Sequence, residues 1–122
     1  QRGKARFSND LVHERLVPSG AVVKLKNHML HYSFMNYSQV LQKIDRYSSA
    51  SAEQAFAKGK RSSPLAAIGH GAWSFFRTYF IRLGFLDGPQ GFSLALANAQ
   101  GSYYRYMKIC ELAKASQARQ KP

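Results

Sequence analysis

Asn36-Tyr37-Ser38-Gln39-Val40-Leu41-Gln42-Lys43-Ile44-Asp45-Arg46-Tyr47 is the stretch at which the chain changes its period. Before it, apolar residues come in short runs of strand formers. From it onward Val40, Leu41, Ile44 and Tyr47 recur at three-to-four spacing, one face of a helix, and Asn36 stands where its side chain can cap the first turn. That change sets the expected fold class: α+β, mainly helical, with a few short N-terminal strands followed by about four helices.

Upstream, Ala5-Arg6-Phe7, residues 12–17, residues 21–26 and residues 29–33 carry strand signals. Pro18-Ser19-Gly20 suits a type I turn, so residues 12–17 and 21–26 are expected to form a hairpin or an irregular excursion. So few apolar residues make a poor independent sheet, and these strands read as the edge of a larger one. Downstream, Ser51-Ala52-Glu53-Gln54 reads as a capping box that opens a second, short helix ending near Gly59. A basic loop, Lys58-Gly59-Lys60-Arg61-Ser62-Ser63, follows. Pro64 fits the first turn of a third helix, predicted to run to about Leu83 with Gly84 as its stop. Gly69 and Gly71 weaken its first half by roughly 1 kcal/mol each. A fourth helix is expected from Phe92 to about Ala115, and the polar tail after it should fray.

The 122 residues are one domain's worth of material, and 45% hydrophobic content suffices for a core. Eighteen Lys and Arg against six Asp and Glu give a net charge of +12, which favours anionic partners without choosing among nucleic acid, glycolipid phosphate and an anionic membrane face. The single Cys110 cannot form an internal disulfide and reads as a half-buried thiol, which fits a reducing cytoplasmic setting. No run approaches the ~18 apolar residues of a spanning helix, and no signal peptide is evident. Gln1-Arg2-Gly3-Lys4 leads straight into a strand, so the chain reads as a piece of a longer protein.

Chemistry-bearing side chains gather near the N-terminus. Asp10, His13, Glu14 and Arg15 fall within six positions, with His31 a strand-turn-strand later, in a chain holding only six acids and four histidines. Without further context Asp10 and Glu14, four positions apart, read somewhat more readily as polar residues on a surface turn than as catalytic groups. His31 has no second ligand at zinc-like spacing, so a structural hydrogen bond is its plainer reading. His28 reads as a loop residue, and His70, between two glycines, as structural or exposed.

Phe7-Ser8-Asn9-Asp10-Leu11-Val12-His13-Glu14, then Leu30-His31-Tyr32-Ser33, then Gly84-Phe85-Leu86-Asp87-Gly88 with Gly91 in a helical tail, together resemble the C-terminal part of family 2 glycosyltransferases, in particular the bacterial lipopolysaccharide core β-glucosyltransferase group. The resemblance covers nearly the whole chain. It implies that residues 1–35 are the last strands of a GT-A catalytic domain and residues 36–122 a helical C-terminal appendage. It also implies an inverting transfer from a nucleotide sugar to a lipopolysaccharide or glycolipid acceptor at the cytoplasmic membrane face. In that chemistry a carboxylate takes the proton of the attacking acceptor hydroxyl. The resemblance gives that role to Glu14, with Asp10 as the rival base or as a ligand of donor or acceptor, and with His13 where similar enzymes carry a first acid. It places His31 near the diphosphate, where imidazole suits phosphate or metal, and Arg15 as a phosphate partner.

The same resemblance implies a divalent metal, Mg or Mn, in the parent enzyme. Its main ligands would lie outside this chain, because no Asp-x-Asp occurs here, nor a G-x-G-x-x-G or a P-loop. This chain alone is therefore expected to be inactive.

Trp73, Phe75, Phe76, Tyr79 and Phe80 read first as core. Interleaved with Arg77 and Arg82 they also have the composition of an interfacial helix, with Lys60 and Arg61 adding roughly 1 kcal/mol each toward an anionic leaflet. Tyr103, Tyr104, Arg105, Tyr106, Met107 and Lys108 read the same two ways. The rival class is a basic helical nucleic-acid-binding or protein-interaction module without catalytic activity. Its charge and aromatics fit. The absence of an RNP, KH, zinc-finger or helix-turn-helix signature counts against nucleic acid, and self-association into a homo-oligomer through exposed apolar surface stays open.

Overall fold

The computed structural model describes residues 5–8, 15–23 and 36–119. Two short strands, β1 (Ala5–Phe7) and β2 (Leu16–Pro18), pair antiparallel with Ala5 opposite Pro18, Arg6 opposite Val17 and Phe7 opposite Leu16. Ser8 extends the ladder, its backbone N–H donating to the Arg15 carbonyl at 2.8 Å while its Oγ accepts from the Arg15 N–H at 2.9 Å. All six strand residues are exposed, so the ribbon buries nothing of its own. The expected hairpin of residues 12–17 with 21–26 is corrected in its described part: residues 16–18 pair with residues 5–7, and residues 21–23 are not strand. Pro18 gives the reason, since a residue without an N–H closes a strand better than it continues one. The rest of that hairpin and the strand expected at residues 29–33 lie outside the described residues.

Three helices follow: α1 (Tyr37–Ala57), α2 (Pro64–Phe76) and α3 (Gly88–Arg119). The α+β, mainly helical class is as the sequence predicts. Asn36 caps α1 by accepting from the Gln39 N–H at 3.0 Å, and Ser63 caps α2 by accepting from the Ala66 N–H at 3.2 Å with Pro64 in the first turn. The capping box at Ser51 is corrected: α1 passes through it without a break. No Gly or Pro interrupts residues 37–57, and Ser48 satisfies its hydroxyl within the helix by donating to the Asp45 carbonyl at 3.0 Å. The fourth predicted helix starts earlier than Phe92 and continues through Arg119, so the described part of the tail is helical.

Helix α3 is the central element. Both α1 and α2 pack on it and not on each other. Tyr37 of α1 reaches Ser93, and Asp45 reaches Lys108, so α1 and α3 run in the same direction. Ser102 donates to the His70 carbonyl and Asn98 to Thr78, so α2 runs against α3. The contact surfaces are made of small residues: Ala52, Ala55, Ala67, Ala95, Gly71 and Gly91 are buried, and Ile109 is the one large side chain fully buried among the described residues. Tyr106 and Leu112 pack on the cluster formed by Ala52, Ala55 and Ile109.

Lys108 fastens α1 to α3. Its Nζ donates to Asp45 Oδ1 at 2.6 Å, Ser49 Oγ at 2.7 Å and Ser48 Oγ at 2.9 Å. The Asp45 side chain is mostly exposed, so solvent screens the pair. Lys108→Met is expected to lower stability by about 1 kcal/mol, with the loss shrinking in high salt in a urea titration; an unchanged midpoint would show that Lys108 fastens nothing.

The end of α2 departs from expectation. Arg77–Ile81 forms a π-helical turn, closed by the Arg82 N–H donating to the Arg77 carbonyl at 2.9 Å, and a 3-10 turn (Gly84–Asp87) leads into α3. The left-handed stop is taken by Leu83 (φ 58°) and not by Gly84. Gly84 is needed for space: a Cβ there would stand 2.8 Å from the Thr78 carbonyl oxygen. A Cβ on Gly91 would in turn run into the Gly84 carbonyl oxygen, so the two glycines let the turn lie directly on the start of α3.

Candidate functional site

A groove of about 1500 Å³ opens between α1 and the first half of α3. Tyr37, Lys43, Tyr47 and Lys58 line it from α1, and Ser93, Asn98 and Arg105 from α3. They share a wall because Lys43, Tyr47, Gln54 and Lys58 repeat along one helical face, as do Ser93, Asn98, Ser102 and Arg105 along another. Across the mouth, the Tyr37 hydroxyl donates to Ser93 Oγ at 3.0 Å. Lys43 Nζ lies 5.5 Å from the centre of the Tyr47 ring. Arg15, which follows the predicted catalytic run, also borders the groove.

The electrostatics of this wall are one-sided. Arg15, Lys43, Lys58 and Arg105 carry four positive charges, and no described Asp or Glu lines the groove. Arg105 Nε is buried and has no hydrogen-bond partner among the described residues. A buried N–H left unmade is costly, roughly 1–3 kcal/mol. The lining is positively charged, and among the described residues no three His, Cys, Asp or Glu gather into a metal site.

Of the residues singled out from sequence, Asp10, His13, Glu14 and His31 lie outside the described residues, as does His28. Arg15 is exposed and borders the groove. Lys60 and Arg61 sit exposed in the loop before α2, Arg61 lying over the Phe56 ring at 4.4 Å, whereas Trp73, Arg77 and Arg82 sit at the far end of α2 and just beyond. The structure thus divides the basic aromatic set between the two ends of α2.

The aromatic stripe divides as well. Phe75 and Tyr79 turn inward and meet Phe92 edge-on at 5.7 and 5.8 Å. Phe76 stacks on Trp73 and packs at a tilt against Phe80, and all three stay about half exposed, at 55%, 47% and 48% for Trp73, Phe76 and Phe80. The core reading holds for the first pair only. Ile81, Leu83 and Leu86 continue the exposed apolar surface, with Arg77 and Arg82 beside it. No described helix is long and apolar enough to cross a membrane. His70 is exposed on one side and stacks on Tyr106 at 3.7 Å, which makes it a packing residue. Cys110 is buried, more deeply than its sequence setting suggests.

Sequence reasoning missed the groove. The signal was present as an acid-free polar face, Lys43, Tyr47, Ser51, Gln54 and Lys58 at helical spacing on α1, but predicting a helix break at Ser51 cut that face in two.

Similarity to known proteins falls on one group. The chain is 29% identical over 99 residues to an uncharacterized glycosyltransferase of Rickettsia prowazekii, covering 81% of this chain and 34% of that protein. It is 30% identical over 93 residues to one of Rickettsia felis, covering 76% and 33%. With one of Rickettsia bellii it shares 32% over 82 residues, covering 67% and 28%. The chain spans about a third of the length of the curated relatives it matches. No family model matches it. No solved structure matches it.

Proposed function

We propose that this chain is the C-terminal part of an inverting GT-A glycosyltransferase of family 2 that moves a hexose from a nucleotide sugar to a lipopolysaccharide-type glycolipid at the cytoplasmic membrane face. The observation that carries the reading is the similarity of most of the chain to the Rickettsia proteins named glycosyltransferases. Residues 1–35 then supply the last strands of the catalytic domain. The exposed ribbon supports this, since two strands that bury nothing want a larger sheet to join. Residues 36–122 form the helical appendage.

In this reading the Glu14 carboxylate takes the proton of the acceptor hydroxyl. The freed oxygen attacks the anomeric carbon, and the bond to the nucleoside diphosphate breaks as the new glycosidic bond forms, which inverts the centre. Asp10 orients donor or acceptor, His13 flanks the base, and His31 and Arg15 face the diphosphate. Magnesium or manganese, held by residues outside this chain, belongs to the same reading. The test is transfer by a protein that joins this chain to its nucleotide-binding half, with a panel of nucleotide sugars and a lipopolysaccharide core acceptor. Donor-specific transfer is expected, and none with any donor would overturn the assignment.

The membrane part rests on the half-exposed Trp73, Phe76 and Phe80 beside Arg77 and Arg82. Such a face lays its rings among headgroups and its guanidinium groups on phosphates. Co-sedimentation with phosphatidylglycerol vesicles is expected to weaken about fivefold for each Arg→Gln change at Arg77 or Arg82, at roughly 1 kcal/mol per cation, and more for Trp73→Ala. Binding that ignores all three changes would remove the membrane face from the proposal.

A further inference from the structure

On an ordinary helix of 3.6 residues per turn, Arg77 and Arg82, five positions apart, would face roughly 140° away from each other. The π-helical turn changes that. The Arg82 N–H meets the Arg77 carbonyl at 2.9 Å, so Arg82 sits one turn above Arg77, as residues four apart do on an α-helix. One wide turn thus brings two arginines to the same face. The turn is held from behind: Thr78 is buried, Asn98 of α3 donates to the Thr78 hydroxyl at 3.4 Å, and Gly84 leaves no room for a Cβ beside the Thr78 carbonyl. Packing on α3 sets the pair before any ligand arrives.

Both arginines are exposed, and neither guanidinium has a hydrogen-bond or ion-pair partner among the described residues. No Asp or Glu occurs between Glu53 and Asp87. Like charges one turn apart repel, so an anion that meets both relieves the repulsion. The number of oxygens selects the anion. One guanidinium fork takes two oxygens of a phosphate. A phosphodiester has only two free oxygens and a single charge, which one fork satisfies. A phosphomonoester has three oxygens and about 1.5–2 negative charges at pH 7, which gives the second fork a partner. The surroundings select the source. Phe80, Ile81 and Leu83 stand exposed beside the arginines, and such a rim gains nothing from a free ion but suits a phosphate carried at the level of lipid headgroups.

We infer that Arg77 and Arg82 form a two-pronged seat for one phosphomonoester group borne by a membrane lipid. The inference rests on the membrane reading given above and narrows it, from any anionic surface to a lipid that ends in a phosphate.

The test is co-sedimentation of the 122-residue chain with phosphatidylcholine vesicles carrying either phosphatidic acid or phosphatidylglycerol, the two matched in surface charge. Phosphatidic acid is expected to bind about tenfold more tightly, the worth of a second charge-assisted contact set. Arg77→Gln and Arg82→Gln should each abolish that preference, and the double variant should remove no more of it. On phosphatidylglycerol the two losses should simply multiply, at about fivefold each. Both side chains are exposed, so neither change disturbs the core. Dihexanoyl phosphatidic acid, added as a monomer and followed by NMR titration, should bind more tightly than dihexanoyl phosphatidylglycerol and than inorganic phosphate. Equal binding to the matched vesicles, a preference that survives either substitution, or inorganic phosphate binding as tightly as the short-chain lipid would each overturn the inference. So would a dimer that covers the two arginines and takes up neither short-chain lipid. Equal binding with fivefold losses removes this inference and leaves the membrane reading standing. No vesicle binding at all removes the membrane reading, and the monomeric lipids then decide the arginine pair by the same preference and the same substitutions.

Discussion

Gly91→Ala is expected to lower the stability of the helical unit by about 3 kcal/mol and its melting temperature by roughly 10 °C or more. The added Cβ would occupy the place of the Gly84 carbonyl oxygen, and Asp87 Cβ is a further close neighbour at 3.0 Å. Backbone cannot rotate aside as a flexible side chain does, so the 3-10 turn has to lift from α3 or the start of α3 has to unwind. Gly84 sits close to Thr78 on its other side, where even an added Cβ would come within 2.8 Å of the carbonyl oxygen, so the turn has little room to shift. Gly69→Ala is the matched control. It lies in α2, where an added Cβ meets nothing within 4 Å, and should stabilise by roughly 0.5–1 kcal/mol through helix propensity. Circular dichroism melts of the two variants decide the matter. Equal melting temperatures would mean that the turn does not lie on α3 as described.

The same pair of glycines shows what the sequence could and could not reveal. Gly84 was legible as a stop after a helix, but its reason is a contact with Thr78 that no local pattern encodes, and Leu83 takes the left-handed conformation in its place. The caps at Asn36 and Ser63 were legible because a cap is settled within four residues. The break at Ser51 was predicted by the same local rule and is absent. Ala52 and Ala55 bury themselves against Ile109, and that packing outweighs one favourable capping box.

Core composition misleads for a related reason. A chain with eight Phe and seven Tyr invites an aromatic core, yet the buried surface belongs to Ala and Gly, while Trp73, Phe76 and Phe80 stay half exposed. Helices that approach through small residues leave little interior for rings, so the rings are pushed to the rim. The candidate groove went unread because its residues lie on two helices far apart in sequence. Among the described residues Arg15 alone connects it to the stretch that sequence reasoning chose, and the acids of that stretch fall outside the described residues.

Glu14→Gln is expected to cut glycosyl transfer by the longer protein roughly 10²–10⁴-fold, the usual worth of a general base, with donor affinity unchanged. Glutamine keeps the size and the hydrogen-bonding oxygen of glutamate but cannot accept a proton at neutral pH. A loss confined to kcat therefore reports proton transfer and not misplacement of the donor. Asp10→Asn separates the two carboxylates. If Asp10 only orients donor or acceptor, its variant should lose more in KM than in kcat. If the large loss in kcat follows Asp10 and Glu14→Gln turns over normally, the base is Asp10 and the assignment made from the Val12-His13-Glu14 resemblance fails.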